Sequence, residues 1–436
     1  LSSQFSMTNQ QYMQTGGTGY YNIWYSSTMV APIYPVYKRD ESGNYLNGEK
    51  NYDYGTTRPA MNNMNWVAAL MDDKRERKSD NLSARTYIEI GDKNNEALGF
   101  FKDFKLTVNL GADYRNMNRL VYQNPDEGNS AAVNGTSERT SERMLSFTFN
   151  QLLNYNRAFG KHNLDVLVGH EYYSYDNLSV YAARQNFPFS GIYELANGST
   201  ITDGTSYKDT YKIESFLSRI TYDFDDRFYL SGSYRTDGSS RFYTDSRWGN
   251  FWSVGGAWRI SQEAFMENTK GWLNNLTLKA SYGMQGNDNI LDQDSYADYY
   301  AWQGLYDMTY PNANLSGAFL VSLENKELKW EKNKNLNVGI EANMFDSRLS
   351  VSAEFYVKNT SDLLLLRPMP TATGFNGYYD NIGDMRNTGV DLTFSGDIIR
   401  NDKFTWSSSL LLSTFKNKIT KLSDNGSDQI ISSSTI

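Results

Sequence analysis

The segment FKLTVNLGADY sets Phe104, Leu106, Val108, Leu110, Ala112 and Tyr114 at alternate positions, with Lys105, Thr107, Asn109 and Asp113 between them. Successive side chains of a strand point to opposite faces, so this strand has one face for an apolar medium and one for water. Its length matches the roughly 9 to 11 residues with which a tilted strand crosses a bilayer. The pattern recurs. Phe147, Phe149, Leu153 and Tyr155 alternate with polar residues, and Leu164, Val166 and Val168 resume the alternation after the turn RAFGKHN. Phe216, Ile220, Tyr222 and Phe224 lead through Asp225, Asp226 and Arg227 to Phe228, Leu230 and Tyr234. The clearest pair joins Leu336 to Met344 with Leu349 to Val357 around Phe345, Asp346, Ser347 and Arg348. A further pair joins Val390, Leu392 and Phe394 to Phe404, Trp406, Leu410 and Leu412 through IIRNDK.

These tight turns alternate with long polar connections at about residues 116–137, 174–210, 236–247, 285–332 and 359–385. Outer-membrane barrels have short periplasmic turns and longer extracellular loops, which places the tight turns in the periplasm. Phe159, Phe224, Phe228, Phe345 and Phe404 flank the turns, while Tyr114, Tyr234 and Tyr282 sit at the opposite strand ends, as interfacial girdles do. The pattern supplies about 13 strands, one of them poorly delimited at the N-terminus. An open edge in hydrocarbon would leave backbone groups unsatisfied. The expected fold is therefore all-β: a partial transmembrane antiparallel up-and-down barrel whose remaining strands lie outside this sequence. No composition shift or linker divides residues 1–436, so they read as one unit.

Composition sharpens this picture. The apolar fraction is 39% counting Tyr and omitting Gly, and there are 33 of each, so exchanging them leaves the fraction below the roughly 45 to 50% of soluble domains. Aromatics still reach 15%, which suits a polar lumen combined with aromatic girdles. No stretch approaches the roughly 18 apolar residues of a membrane helix, and the first residues lack a secretory signal pattern. The chain has no Cys, hence no disulfide or thiolate site. A net charge of -8 argues against nucleic acid, which selects a concentrated basic face.

Candidate chemistry is sparse. His162 and His170 are the two histidines, and neither lies in a nucleophile motif such as G-x-S-x-G, so no catalytic residue and no enzyme activity is expected. Asp288, Asp292 and Asp294 could offer oxygen ligands, but they lack EF-hand spacing and its turn Gly, so neither metal nor cofactor is expected. Gly16 to Gly19 reads as a turn and Asp72 to Asp80 as a solvated loop face. Tyr299, Tyr300, Trp302 and Tyr306 form the densest aromatic group on the extracellular side. With Arg241 they are the candidate solute contacts, because aromatic faces and guanidinium donors hold oligomeric solutes in wet cavities. Packing of a long loop, or contact with a protein that covers it, is the competing reading for that group and the one that the need of long loops to bury something favours. Asp237, Gly238, Ser239 and Ser240 have turn chemistry, with Gly238 free to adopt positive φ.

The stretch from Arg227 to Ile290 resembles the barrel of SusC/RagA-type TonB-dependent transporters of Bacteroidetes outer membranes. The matching words are R-x-DGSSRF (Arg235, Asp237, Gly238, Ser239, Ser240, Arg241, Phe242), RWG (Arg247 to Gly249), WRIS (Trp258 to Ser261) and WLNNLxLxASYGxxGN (Trp272 to Asn287). LKWEK from Leu328, the DLLL and P-x-P of Asp362 to Pro370, TGF from Thr373, NIG from Asn381 and RNTGV from Arg386 follow in the same order. The resemblance implies a 22-stranded plugged barrel. It also implies TonB-dependent import of an oligomeric nutrient, glycan or peptide, with a SusD-like surface lipoprotein as lid and energy from the TonB–ExbB–ExbD complex. On this reading residues 1–436 are the central barrel portion, with plug domain, TonB box and C-terminal strands absent from the sequence. A passive porin or structural surface barrel is the alternative, and an outer-membrane hydrolase a third.

Overall fold

A computed structural model describes residues 2–13, 27–55, 57–59, 62, 64–91, 96–126, 130–292, 295–311, 313 and 315–422. Gly16 to Gly19 and Asp294 lie outside the described residues. The strands are β1 (Ser2–Met13), β2 (Lys74–Ile90), β3 (Phe104–Gln123), β4 (Thr136–Phe159), β5 (His162–Gln185), β6 (Thr200–Phe224), β7 (Phe228–Ser239), β8 (Trp248–Arg259) and β9 (Leu273–Asn287). Next come β10 (Tyr306–Asp307), β11 (Phe319–Leu320), β12 (Glu331–Met344), β13 (Leu349–Ser361), β14 (Leu364–Pro368), β15 (Gly377–Asn381), β16 (Asp384–Arg400) and β17 (Thr405–Lys421). A 13-stranded sheet runs β1 to β9, then β12, β13, β16 and β17, while β10–β11 and β14–β15 form two-stranded ribbons in the connections. Every pair in the large sheet is an antiparallel neighbour in sequence, the up-and-down order that the alternation predicts.

Register turns the alternation into two surfaces. One path of directly paired residues, Ile220, Gly232, Val254, Tyr282, Leu336 and Val357, crosses six strands on one face. Directly paired side chains share a face, so the apolar positions of separate strands fuse into a continuous band. Ile220 and Val254 are 52% and 53% exposed, far more apolar surface than a water-facing sheet tolerates and the expected lipid face of a barrel. The opposite face is polar. Arg85 pairs with Asp113 at 2.6 Å, Lys279 with Glu341 at 2.5 Å, and Asn109 donates to Asn150 at 2.6 Å. Lys105, Thr107, Asn109 and Asp113 all lie on this inner face, as the alternation predicts.

The turns close tightly where the sequence places them. Asp225 and Asp226 both adopt positive φ (55° and 51°), the conformation whose twist matches a two-residue hairpin, and Asp tolerates it better than most side chains. Phe159, Phe228, Phe345 and Phe404 stand exposed around these turns.

The long connections are shorter than expected. β4, β5 and β6 contain 24, 24 and 25 residues, more than twice the length of a crossing, and of the expected connections residues 116–123, 136–137, 174–185, 200–210 and 236–239 are strand. The Asp72 to Asp80 run is likewise not a loop: from Lys74 on it is the start of β2, with Glu76 between Lys74 and Lys78 at 3.6 and 2.8 Å. Above the bilayer neither face meets hydrocarbon, so alternation disappears while the backbone ladder continues. Pairing needs only the peptide groups.

Candidate functional site

On the extracellular side the inner wall carries a buried cluster of Phe242, Phe251, Ile290, Ala301, Leu328 and Trp330. Phe251 pairs directly with Arg235, whose side chain reaches Glu171 and Ser215 on the polar face, so the cluster lies on the lumen side. The segment between β9 and β12 therefore folds inward over the wall. Phe251 occupies a slot between Gly249 and Gly286, where an added Cβ would come within 2.4 and 2.2 Å of its ring. Its ring centroid lies 5.3 Å from that of Trp330, edge to face, and Trp330 donates its indole N–H to the Arg247 carbonyl at 2.7 Å.

Arg241 fastens this segment to the wall. Its guanidinium donates to the Asp288 carbonyl and to Asn289 Oδ1, both at 2.9 Å, and lies over the rings of Tyr211 and Tyr299 at 5.0 and 4.9 Å. The side chain is buried, which strengthens both kinds of contact. The Asp288 carboxylate accepts from Tyr211 at 2.9 Å and from Ser239 at 2.6 Å. Burial raises the pKa of the Tyr299 phenol and of the Asp298 carboxyl, the latter with the help of the nearby Asp292 charge. The Tyr379 phenol is pushed up to about 12, first by burial and then by Asp298 and Asp292.

The sequence-based candidates divide accordingly. Tyr300 hydrogen-bonds through its hydroxyl to the Thr210 N–H and the Lys208 carbonyl, and Trp302 packs on the cluster and on Tyr243. Tyr306 stands apart in β10, 58% exposed. The four aromatics are thus not one platform, and three of them hold the segment in place. Arg235, Asp237, Gly238 and Ser239 lie in β7 and not in a turn. Gly238 has no positive φ; its role is clearance, since a Cβ there would sit 2.9 Å from the Trp248 indole. Arg235 donates to Asp237 at 2.6 Å and to Glu171 at 3.0 Å. Ser240 Oγ accepts from the Lys212 N–H at 2.9 Å, and Phe242 is fully buried.

Sequence reasoning missed Tyr211, Glu171, Phe251 and Trp330. A faint signal was available in the alternate tyrosines Tyr173, Tyr175 and Tyr181 and in the glycines flanking Phe251. Asp292 accepts a backbone N–H from Tyr296, and no cluster of metal-ligating side chains occurs among the described residues. His162 contacts Tyr222 at 2.6 Å, and His170 contacts Gln151 and Glu214 at 3.1 and 3.2 Å. Neither imidazole has a serine partner among these contacts.

The family words converge on the cluster: DGSSRF supplies Phe242, RWG supplies Gly249 two residues before Phe251, SYGMQGN supplies Gly286, and LKWEK supplies Leu328 and Trp330. From NIG, Asn381 donates to the Lys329 and Asp362 carbonyls at 2.8 and 2.9 Å.

Comparison with known proteins matches residues 10–433 to the family described as TonB dependent receptor-like, beta-barrel. The chain is 35% identical over 331 residues to TonB-dependent receptor P39 of Formosa agariphila, covering 74% of this chain and 30% of that receptor. It is 26% identical over 419 residues to TonB-dependent receptor SusC of Bacteroides thetaiotaomicron, covering 90% of this chain and 39% of SusC. The chain thus spans less than half the length of these curated relatives. Among solved structures, the RagAB peptide importer in its 'closed-closed' state aligns with a TM-score of 0.77 at 28% identity, over 96% of this chain and 45% of that one. The chain belongs to the TonB-dependent receptor family of bacterial outer-membrane β-barrels, and within it is similar to SusC and RagA.

Proposed function

We propose that the whole protein imports an oligomeric nutrient, a glycan or a peptide, across the outer membrane in a TonB-dependent manner, with a SusD-like lipoprotein as its lid. The observation that carries this reading is the inward fold of the segment between β9 and β12, fastened by Arg241, on a wall whose inner face in the membrane half is polar apart from residues such as Leu152, Leu167 and Leu217. Such a segment covers the lumen side of the extracellular wall, where a large solute entering from outside meets it first. Tyr306, the most exposed of the four aromatic candidates, is the residue we assign to contact with solute or lid. The free edges β1 and β17 pair, on this reading, with further strands of the same barrel, because unpaired backbone in hydrocarbon costs several kcal/mol per group.

On this reading the role is transport and not catalysis, and replacing His162 and His170 together is expected to leave uptake unchanged. The test is growth of a deletion strain on defined glycans and peptides, complemented by the full-length receptor. Growth on one class is restored, and it is lost again when TonB is removed. Restored uptake that survives loss of TonB would indicate a passive pore instead.

A further inference from the structure

On the outer face, just beyond the apolar band, register gathers Lys334 of β12, Arg386 of β16 and Lys418 of β17 into one row. Lys334 pairs with Asn359, Asn359 with Arg386, and Arg386 with Lys418. Lys416 joins them, opposite Thr388 in the adjacent outward row. Lys334 and Arg386 are exposed within the sheet, Lys416 and Lys418 stand on its edge strand β17, and among the described residues none of the four has an acidic partner within ion-pair distance. Arg386 donates to Asn359 Oδ1 at 2.7 Å, while Asp384, two residues along β16, accepts the Asp362 N–H. Other cations near the ends of the sheet do meet a carboxylate, among them Arg157, Lys161, Arg227 and Lys270 at the turn end and Lys332 beside the row. Like charges placed directly opposite, as Arg386 and Lys418 are, destabilise a sheet unless an anion lies between them.

The row stands immediately outside Leu336, Val357 and the Val338–Phe355–Val390 path, one or two same-face steps of roughly 7 Å above the hydrocarbon-facing surface. An amphiphile seated here lays its acyl chains on that path and its head group among the cations. A soluble anion gains the charge contacts alone. We propose that Lys334, Arg386, Lys416 and Lys418 form a binding site for the phosphate-bearing head group of an outer-leaflet lipid, with Leu336, Val338 and Phe355 beneath its chains. This inference rests on the lipid-facing register of the sheet and not on the transport reading.

The test is the full-length receptor in nanodiscs of phosphatidylethanolamine carrying increasing fractions of lipid A, with the thermal midpoint and co-purified lipid by mass spectrometry as readouts. Lipid A raises the midpoint of the wild-type receptor. The variant K334Q/R386Q/K416Q/K418Q loses that rise and binds at least ten-fold more weakly, since each cation at an anionic lipid surface contributes severalfold. R157Q/K270Q at the turn end leaves the response unchanged. Should the quadruple variant fail to fold, K416Q/K418Q shows a smaller loss and Arg386→Lys keeps the response. The proposal is overturned if the quadruple variant responds like the wild type, if dephosphorylated lipid A works equally well, or if inorganic phosphate alone reproduces the shift.

Discussion

The same strands obey different rules on the two sides of a line through Tyr114, Tyr234 and Trp252. On the turn side of that line, β3 to β9 largely follow a two-letter code, apolar outward and polar inward, with Gln151 and His170 among the outward exceptions and Leu152 and Leu217 among the inward ones. On the loop side the strands continue without alternation, and individual side chains decide the structure: Phe251 needs Gly249 and Gly286, and Arg241 needs Tyr211, Tyr299 and the Asp288 carbonyl. The difference has a physical source. Hydrocarbon imposes a generic solvent on one face, whereas the inward-folded segment makes a small core that must fit like a protein interior.

The comparison is broken most sharply by emptying that core. Trp330→Ala removes an indole from the Phe242–Phe251 contacts and from the Arg247 carbonyl. It is expected to cost about 3–5 kcal/mol of local stability. Hydrogen exchange should rise across residues 288–330 while residues 104–114 keep their protection, and equal loosening of both regions would abolish the distinction. The membrane half responds to polarity and not to fit. Leu110→Arg is expected to cost about 2–4 kcal/mol in refolding from denaturant into lipid, and Asn109→Arg on the inner face far less. Matching penalties would mean that the register is wrong.

Arg241→Ala comes next. It deletes two hydrogen bonds to the backbone and side chain of the segment and the contact with two rings, for about 1–3 kcal/mol. Arg241→Lys should fall between wild type and Ala, because an ammonium does not reproduce the planar fork. Limited proteolysis within the segment orders the three proteins. The smallest effect is a pH dependence at Asp298. Burial raises its folded pKa above the unfolded value, so ionisation opposes folding of the segment. Order in the segment is therefore greater as pH falls through the folded pKa and is least at neutral pH. Asp298→Asn still accepts the Tyr300 N–H, which now meets Asp298 Oδ1 at 2.8 Å, and should remove the dependence when exchange is followed against pH.

Legibility in the sequence followed the same divide. Strand identity, turn positions and the inward placement of Lys105, Asn109 and Asp113 were readable, because period-two alternation is a local property. Strand ends were not: Thr136 to Met144 and Ser174 to Gln185 carry no alternation, yet their backbone groups pair in register. Among the candidate site residues, the DGSSRF word was recognisable while its work was hidden. Gly238 looked like a turn glycine and instead clears space for Trp248, a contact 10 residues away that no local pattern encodes. Tyr299 was legible as an aromatic, but its partners Arg241, Tyr211 and Tyr175 come from three other parts of the chain.

The central claim is that one register governs the sheet, with an apolar outer face ending at Tyr114 and a polar inner face that continues past it. The sequence has no Cys, so single spin-labelled cysteines at each position from 105 to 122 of the full-length receptor in lipid test it directly. Oxygen accessibility should peak at 106, 108, 110, 112 and 114, dip at the odd positions between them, and lose this alternation beyond 114. Peaks at 105, 107, 109 and 113, or an alternation that persists to 122, would contradict it.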